Sequence, residues 1–225
     1  KDMLTPEVSG TVAVPGDCGG VMNAAALVHD PTYIDYVRDA PEGYLDPDTY
    51  KRAETYDIAM LAVCGGMMGA KHAYEKGEHT LCLLRPPGHH AGRDYSGGFC
   101  YFNNIAVGAE FLIRCLGAGK VAIVDIDVHL GNGTWDIFRE RRDILYISTH
   151  QWGIYPGTGS VSTIGDGEGE GYTVSIPFLS GTGDSTYTLA MHRIIMPVLR
   201  QYRPDAILVS LGADAHYRDP LASLS

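Results

Sequence analysis

Five apolar runs along the chain have the length of strands: "TLCLLR" at 80–85, "VAIVDID" at 121–127, "ILYIST" at 144–149, "YTVSIPF" at 172–178 and "AILVSLG" at 206–212. Residues 121–124 are apolar at every position, as in a strand covered on both faces of a sheet. Between and around these runs lie stretches with helical spacing. Residues 51–76 form a long one with a weak Gly-Gly point inside. Residues 104–116 form another, with Asn103 as N-cap and "GAG" as its stop. A third, 185–202, follows Asp184 as a cap and carries Pro197, which should kink it. Strands alternating with helices predict an α/β fold in three layers, a mainly parallel sheet with helices on both faces.

The polar residues sharpen this picture. Ligands of such sheets bind beyond the carboxyl ends of the strands. The run at 80–85 leads into "PPGHH", 121–127 into Asp-x-His, 144–149 into "HQWGIYPGTG" and 206–212 into "ADAH". Four predicted strands therefore deliver Asp, His and Gly-rich loops to one edge. Asp125, Asp127 and His129 alternate, so on a continuing strand they share a face. Burying two carboxylates together costs several kcal/mol per ion unless something compensates them.

A metal ion is such a compensation. Asp127, His129 and Asp214 offer one imidazole and two carboxylates, three ligands that leave a coordination position open. An Asp-x-His pair alone is ordinarily a strand end reaching solvent, and adjacent loop histidines are ordinarily surface residues; together they mean more. His89 and His90 follow a Pro-Pro-Gly turn that directs both toward one cleft. Asp125 is a natural partner for one of them, and Asn132, in "GNG", for the other. A metal beside a histidine that takes and gives a proton near neutrality describes metal-assisted amide hydrolysis.

Composition narrows the class. The 225 residues suit one large domain, 1–225. The chain is 45% hydrophobic and 20% charged, enough for a sizeable core. Net charge is −10 with no basic cluster, which argues against a nucleic-acid partner and fits either plain solubility or a cationic substrate. No run approaches the roughly 20 apolar residues of a membrane helix, and "KDMLTPEVSG" lacks the apolar core of a signal peptide. Cys18, Cys64, Cys82, Cys100 and Cys115 form no CxxC pair, and an odd count closes no disulfide set. Reduced thiols and a cytoplasmic setting are expected, with a nuclear one open for a eukaryotic chain.

The motifs "RPPGHHA", "GGFCYFNNIAVGA", "DIDVHLGNGT", "YPGTG" and "GADAHYRDPLASLS" resemble, in order, those of the zinc-dependent histone deacetylases. That group includes bacterial deacetylase-like amidohydrolases and acetylpolyamine amidohydrolases. "LVHDPTYIDYV" and "LDPDTYKRAETYDIAMLAVCGG" match as well, so the resemblance runs from about residue 27 to residue 225. It implies the arginase–deacetylase type of α/β fold and a zinc site at Asp127, His129 and Asp214. It makes His90 the general base and acid, with Asn132 orienting it, and His89 an electrostatic helper held by Asp125. Asn at 132 is the form of the class II branch and bacterial relatives, where other members carry Asp, and should leave His90 less basic. It further implies potassium at Asp125, Asp127, His129, Ser148 and Thr149, partly through main-chain oxygens. A second ion site would match Phe138, Arg141, Ile144 and Tyr172. The acyl-lysine tunnel maps to Gly98, Phe99, Tyr155 and Leu221. An aromatic pair such as Phe99 and Tyr155 can sandwich a methylene chain.

The resemblance makes the expected reaction removal of acetyl, or a short acyl group, from the lysine side-chain amine of a protein. Leucine at 221 favours lysine over polyamine, since the polyamine-preferring eukaryotic members carry an acid there. Hydrolysis of acetylpolyamines or another small amide is the alternative. The chain departs from the family at Leu130, where most relatives have a second histidine, and this should alter packing rather than metal binding. It also departs in its tyrosines. None of the 14 follows the Gly-rich loop that carries the family's catalytic tyrosine, a group whose loss costs ~100–1000-fold in rate. The expectation is a fragment of a longer protein lacking the C-terminal part. A whole protein of this length is expected to be weakly stable and poorly active, or to bind acyl-lysine without hydrolysing it.

Overall fold

The computed structural model describes residues 24–225, so Cys18 and the N-terminal segment lie outside the described residues. Helix α1 (Pro31–Asp39) starts where Asp30 accepts a hydrogen bond from Thr32 N (2.7 Å), with Pro31 in the first turn. A two-stranded hairpin follows, β1 (Gly43–Asp46) and β2 (Thr49–Lys51). Helix α2 (Thr55–Lys76) packs on α3 (Asn104–Leu116). The main sheet then assembles from β3 (Val121–Asp125), β4 (Ile144–Gln151), β5 (Thr173–Phe178) and β6 (Ala206–Ser210), in the order β5–β4–β3–β6, all parallel. The short helix α4 (Asn132–Phe138) lies between β3 and β4. Helix α5 (Asp184–Ala190), a wide π-turn (Met191–Ile195) and α6 (Met196–Tyr202) lie between β5 and β6.

Alternation along the strands sorts the core into two layers. Val121, Ile123, Ile144 and Tyr146 face α1, α2, α3 and α4. Ala122, Val124, Leu145 and Ile147 face Ala190, Ile195, Val198 and Tyr202 on the opposite side. Both faces of β3 and β4 are covered, which is why these strands read as unbroken apolar runs. Each fully buried Ile, Leu or Val contributes about 1.5–3 kcal/mol. The expected three-layer sheet with helices on both faces is therefore present.

Several elements differ in extent. The run at 80–85 is no strand: it lies along α2, Thr80 Oγ1 donating to Gly69 O (3.0 Å), and pairs with no strand among the described residues. Its Leu81 and Leu83 are 72% and 86% exposed. β3 stops at Asp125 and β6 at Ser210, both two residues short of the apolar pattern, because the chain bends there into the loops that carry Asp127 and Asp214. The helix expected from residue 51 starts at Thr55, since Lys51 is held in β2. Asp184 opens α5 but caps nothing; Gly183 is the N-cap. Pro197 distorts its helix as expected: a proline offers no N–H to the preceding turn, and the turn ahead of it is wound wide. Asn103 caps α3 through Ala106 N (3.1 Å), and Gly117 ends it in a left-handed conformation. No helix among the described residues is long and apolar enough to cross a membrane.

Candidate metal centre and active site

The site lies at the carboxyl ends of β3, β4 and β6, where their register sets Asp125 beside Ser148 and Ser210. Beyond Asp125 the chain turns, so Asp127 and His129 stand on a bend rather than on a continuing strand. Their own backbone shapes it: His129 N donates to Asp127 Oδ1 (2.8 Å) and Asp127 N reaches Asp125 Oδ1 (3.3 Å). Asp214 arrives from the end of β6 and accepts from Val128 N (3.1 Å). Asp127 Oδ1 and Asp214 Oδ2 then converge on His129 Nδ1, at 3.1 and 3.0 Å. One ligand atom from each of the three lies within 4.8 Å of the others.

This donor set fits a divalent cation. Among the described residues no Lys or Arg forms an ion pair with Asp125, Asp127 or Asp214; only histidines do. Two half-buried carboxylates and an imidazole aimed at one point, with no Lys or Arg beside them, are what an ion compensates. As the chain stands, hydrogen bonds to Asp127 and Asp214 hold a proton on His129 and raise its pKa to about 9.

His89 and His90 are both buried, their rings 4.0 Å apart. His89 Nδ1 donates to Asp125 Oδ2 (3.0 Å), and its Nε2 lies 3.8 Å from Asp127 Oδ2. Burial works against charge on His89, but Asp125 outweighs it and the net shift is upward. His90 Nδ1 donates to Asn132 Oδ1 (2.7 Å), which leaves Nε2 as the basic nitrogen. Burial and then the neighbouring His89 push the His90 pKa down to about 3, so this imidazole is neutral. Gly131 makes the pairing possible: a Cβ there would stand 2.4 Å from Asp125 Oδ2 and 3.0 Å from His89 Nδ1.

The four tunnel candidates are only partly gathered. Gly98 abuts the His90 ring. The Tyr155 ring lies edge-on to His90 (4.8 Å) and to His129 (6.3 Å), and its hydroxyl stands over Gly97. Phe99 is exposed beside Gly98, its amide donating to Thr49 Oγ1 (3.1 Å). Leu221 is exposed on the last segment, fixed by Asp219 (2.8 Å), and no described contact joins it to the aromatic pair. Of the expected potassium set, Ser148 and Thr149 are buried at the end of β4, Thr149 Oγ1 lying 3.5 Å from Asp125 O. At the second ion set, Phe138 O accepts from Arg141 N (2.9 Å), while the Arg141 side chain is engaged by Asp143 and Glu110.

Some residues that hold this site stand outside its polar motifs. Tyr146, fully buried on β4, donates to Asp125 Oδ2 (3.0 Å), so one carboxylate oxygen accepts from both Tyr146 and His89. The strand period places Tyr146 and Asp125 on one face, which was the available clue. Behind the histidines, Thr134 N donates to His89 O (3.1 Å), and Asn103 Nδ2 donates to Ala91 O (3.0 Å) and Thr134 Oγ1 (3.1 Å). His29 Nε2 accepts from Asn103 N (2.8 Å), and His150 Nε2 donates to Gly159 O (2.8 Å), so both have structural roles. Leu130 is fully buried against Gly159.

Comparison with known proteins places this arrangement. A probable deacetylase of Methanothermobacter thermautotrophicus is 42% identical over 223 residues, covering 97% of this chain and 66% of that protein. The solved HDA15 HD domain superposes with a TM-score of 0.87 at 36% identity, over 91% of this chain and 59% of that one. An acetylpolyamine aminohydrolase from Burkholderia pseudomallei gives 0.83 at 29% identity, over 92% and 70%. This chain spans roughly half to two thirds of the length of the first curated relatives it matches. The histone deacetylase domain model matches residues 21–225, six residues upstream of where the motifs begin. With that match, and the Asp–His–Asp cluster beside a histidine pair, the chain belongs to the histone deacetylase domain family.

Proposed function

We propose that this chain carries a zinc-dependent amidohydrolase site that removes acetyl, or a short acyl group, from the side-chain amine of lysine. The observation that carries the reading is the convergence of Asp127, His129 and Asp214 beside His90, whose Nε2 is its free basic nitrogen. Zinc bound there supplies a Lewis acid that polarises an amide carbonyl and makes water more acidic. His90 takes a proton from the attacking water and returns one to the leaving amine. Burial opposes charge on His89 but Asp125 raises its pKa on balance, so His89 would give electrostatic help to the oxyanion that develops. Tyr155 beside His90 and the exposed Phe99 would hold the methylene chain of the substrate. Ser148 and Thr149 with the Asp125 carbonyl would take potassium beneath.

The test is turnover of a fluorogenic acetyl-lysine peptide by the full-length protein loaded with zinc. His90→Ala and Asp127→Ala are each expected to lose at least ~100-fold in kcat. No turnover, or turnover indifferent to both changes, would reject the reading. The resemblance to an acetylpolyamine aminohydrolase supports a second reading, a small acetylated amine as substrate. Rates on acetylspermidine and on the peptide separate the two.

A further inference from the structure

The side-chain amide of Asn132 is nearly symmetrical in shape, so packing alone cannot decide which end faces His90. Hydrogen bonding decides it. Asn132 Oδ1 lies 2.7 Å from His90 Nδ1, and Asn132 Nδ2 donates to the Tyr95 hydroxyl at 3.4 Å. A flipped amide would present N–H groups to His90 Nδ1. That nitrogen would then have to accept, the imidazole proton would move to Nε2, and the basic lone pair would be lost.

Tyr95 stands where its hydroxyl can prevent the flip. The 92–95 turn is closed by Gly92 N donating to Tyr95 O (3.0 Å), and the ring lies against Gly92 so closely that a Cβ there would meet it at 2.1 Å. Asp30 N donates to Arg93 O (2.8 Å), tying the turn to the start of α1. A hydroxyl can donate or accept. A phenol oxygen keeps a lone pair whichever way its own O–H points, so Tyr95 can accept from Asn132 Nδ2.

We propose that Tyr95 is a positioning residue that locks the Asn132 amide and so holds the His90 proton on Nδ1. Resting on the hydrolytic reading above, this makes Tyr95 the outer member of a chain Tyr95–Asn132–His90. The residue belongs to none of the polar motifs that mark the site.

The test combines kinetics with a readout that needs no turnover. In the full-length zinc-loaded protein, Tyr95→Phe keeps the ring and is expected to lower kcat roughly tenfold. KM and the thermal midpoint should stay unchanged. In an Asn132→Asp background the same change should cost less than twofold, because a carboxylate presents oxygen in either orientation. In metal-free protein, imidazole ¹⁵N shifts should report His90 as the Nδ1–H tautomer, and as a mixture in Tyr95→Phe. Equal losses in the parent and Asn132→Asp backgrounds, or an unchanged tautomer in Tyr95→Phe, overturn the proposal. A protein without turnover but with the expected tautomer shift would reject the hydrolytic reading and keep Tyr95 in its role.

Discussion

Gly212 stands between the two carboxylates of the candidate metal site. A Cβ at this position would lie 2.0 Å from Asp127 Oδ2 and 2.6 Å from Asp214 Oδ1. Neither oxygen can retreat freely, since Asp127 is held by His129 N and Asp214 by Val128 N. Gly212→Ala is therefore expected to weaken zinc binding by ~10–100-fold, the scale on which misplaced ligand supports act. A competition titration against a chromophoric chelator measures it, and unchanged affinity would contradict this account of the site. Asp127, His129 and Asp214 were legible as a ligand set because residue type carries that chemistry. Gly212 and Tyr146 were not, because each acts by what it leaves room for or leans on, and a single sequence records neither.

Among elements, the segment bearing the histidine pair depends on the start of α3. Asn103 caps that helix, clamps Ala91 O and rests on His29, which is buried. Burial depresses the His29 pKa to about 4, with weaker main-chain contributions in the opposite direction. The unfolded chain takes up this proton near pH ~6.5, while the folded chain resists it down to about 4. Stability from this group is thus full above pH ~6.5 and lost as pH falls toward 4, by about 3 kcal/mol in all. Urea midpoints at pH 7 and pH 5 should show the decline, and His29→Gln should flatten it; an equal decline in the variant would assign it elsewhere. Helix α3 was readable to the residue because cap, amphipathic body and glycine stop all lie within its own sequence. The run at 80–85 misled because a strand exists only through its partners, and among the described residues this apolar pattern has none. The hairpin β1–β2 left no comparable apolar run: the buried positions of β2 are Thr49 and Lys51, and β1 has no fully buried residue.

For the molecule as a whole, the main sheet ends in β5 on one side and β6 on the other. Among the described residues β6 pairs only with β3, and Ile207, Val209 and Leu211 are 51%, 55% and 64% exposed beside that edge. An apolar unpaired edge invites pairing with another chain. These 225 residues by themselves are expected to bind a hydrophobic dye and to self-associate as concentration rises, and Ile207→Lys with Val209→Lys should suppress both. Light scattering over a concentration series checks this; indifference to the two lysines would mean that association uses another surface. The parallel order and the site edge followed from the alternation of strands and helices, but which strand would border open space depends on long-range assembly that local pattern does not encode. The metal triad gives β6 a further significance. Asp127 and Asp214 are 214 − 127 = 87 residues apart in sequence, so an ion shared between them is a cross-link that closes a long loop. Chain-entropy arguments for covalent links of such loops give about 4–5 kcal/mol as an upper scale. The ion would then act on an edge strand of the sheet as well as on substrate. Amide hydrogen exchange across Ala206–Ser210 should slow on zinc addition and quicken again with chelator, more than exchange in β4.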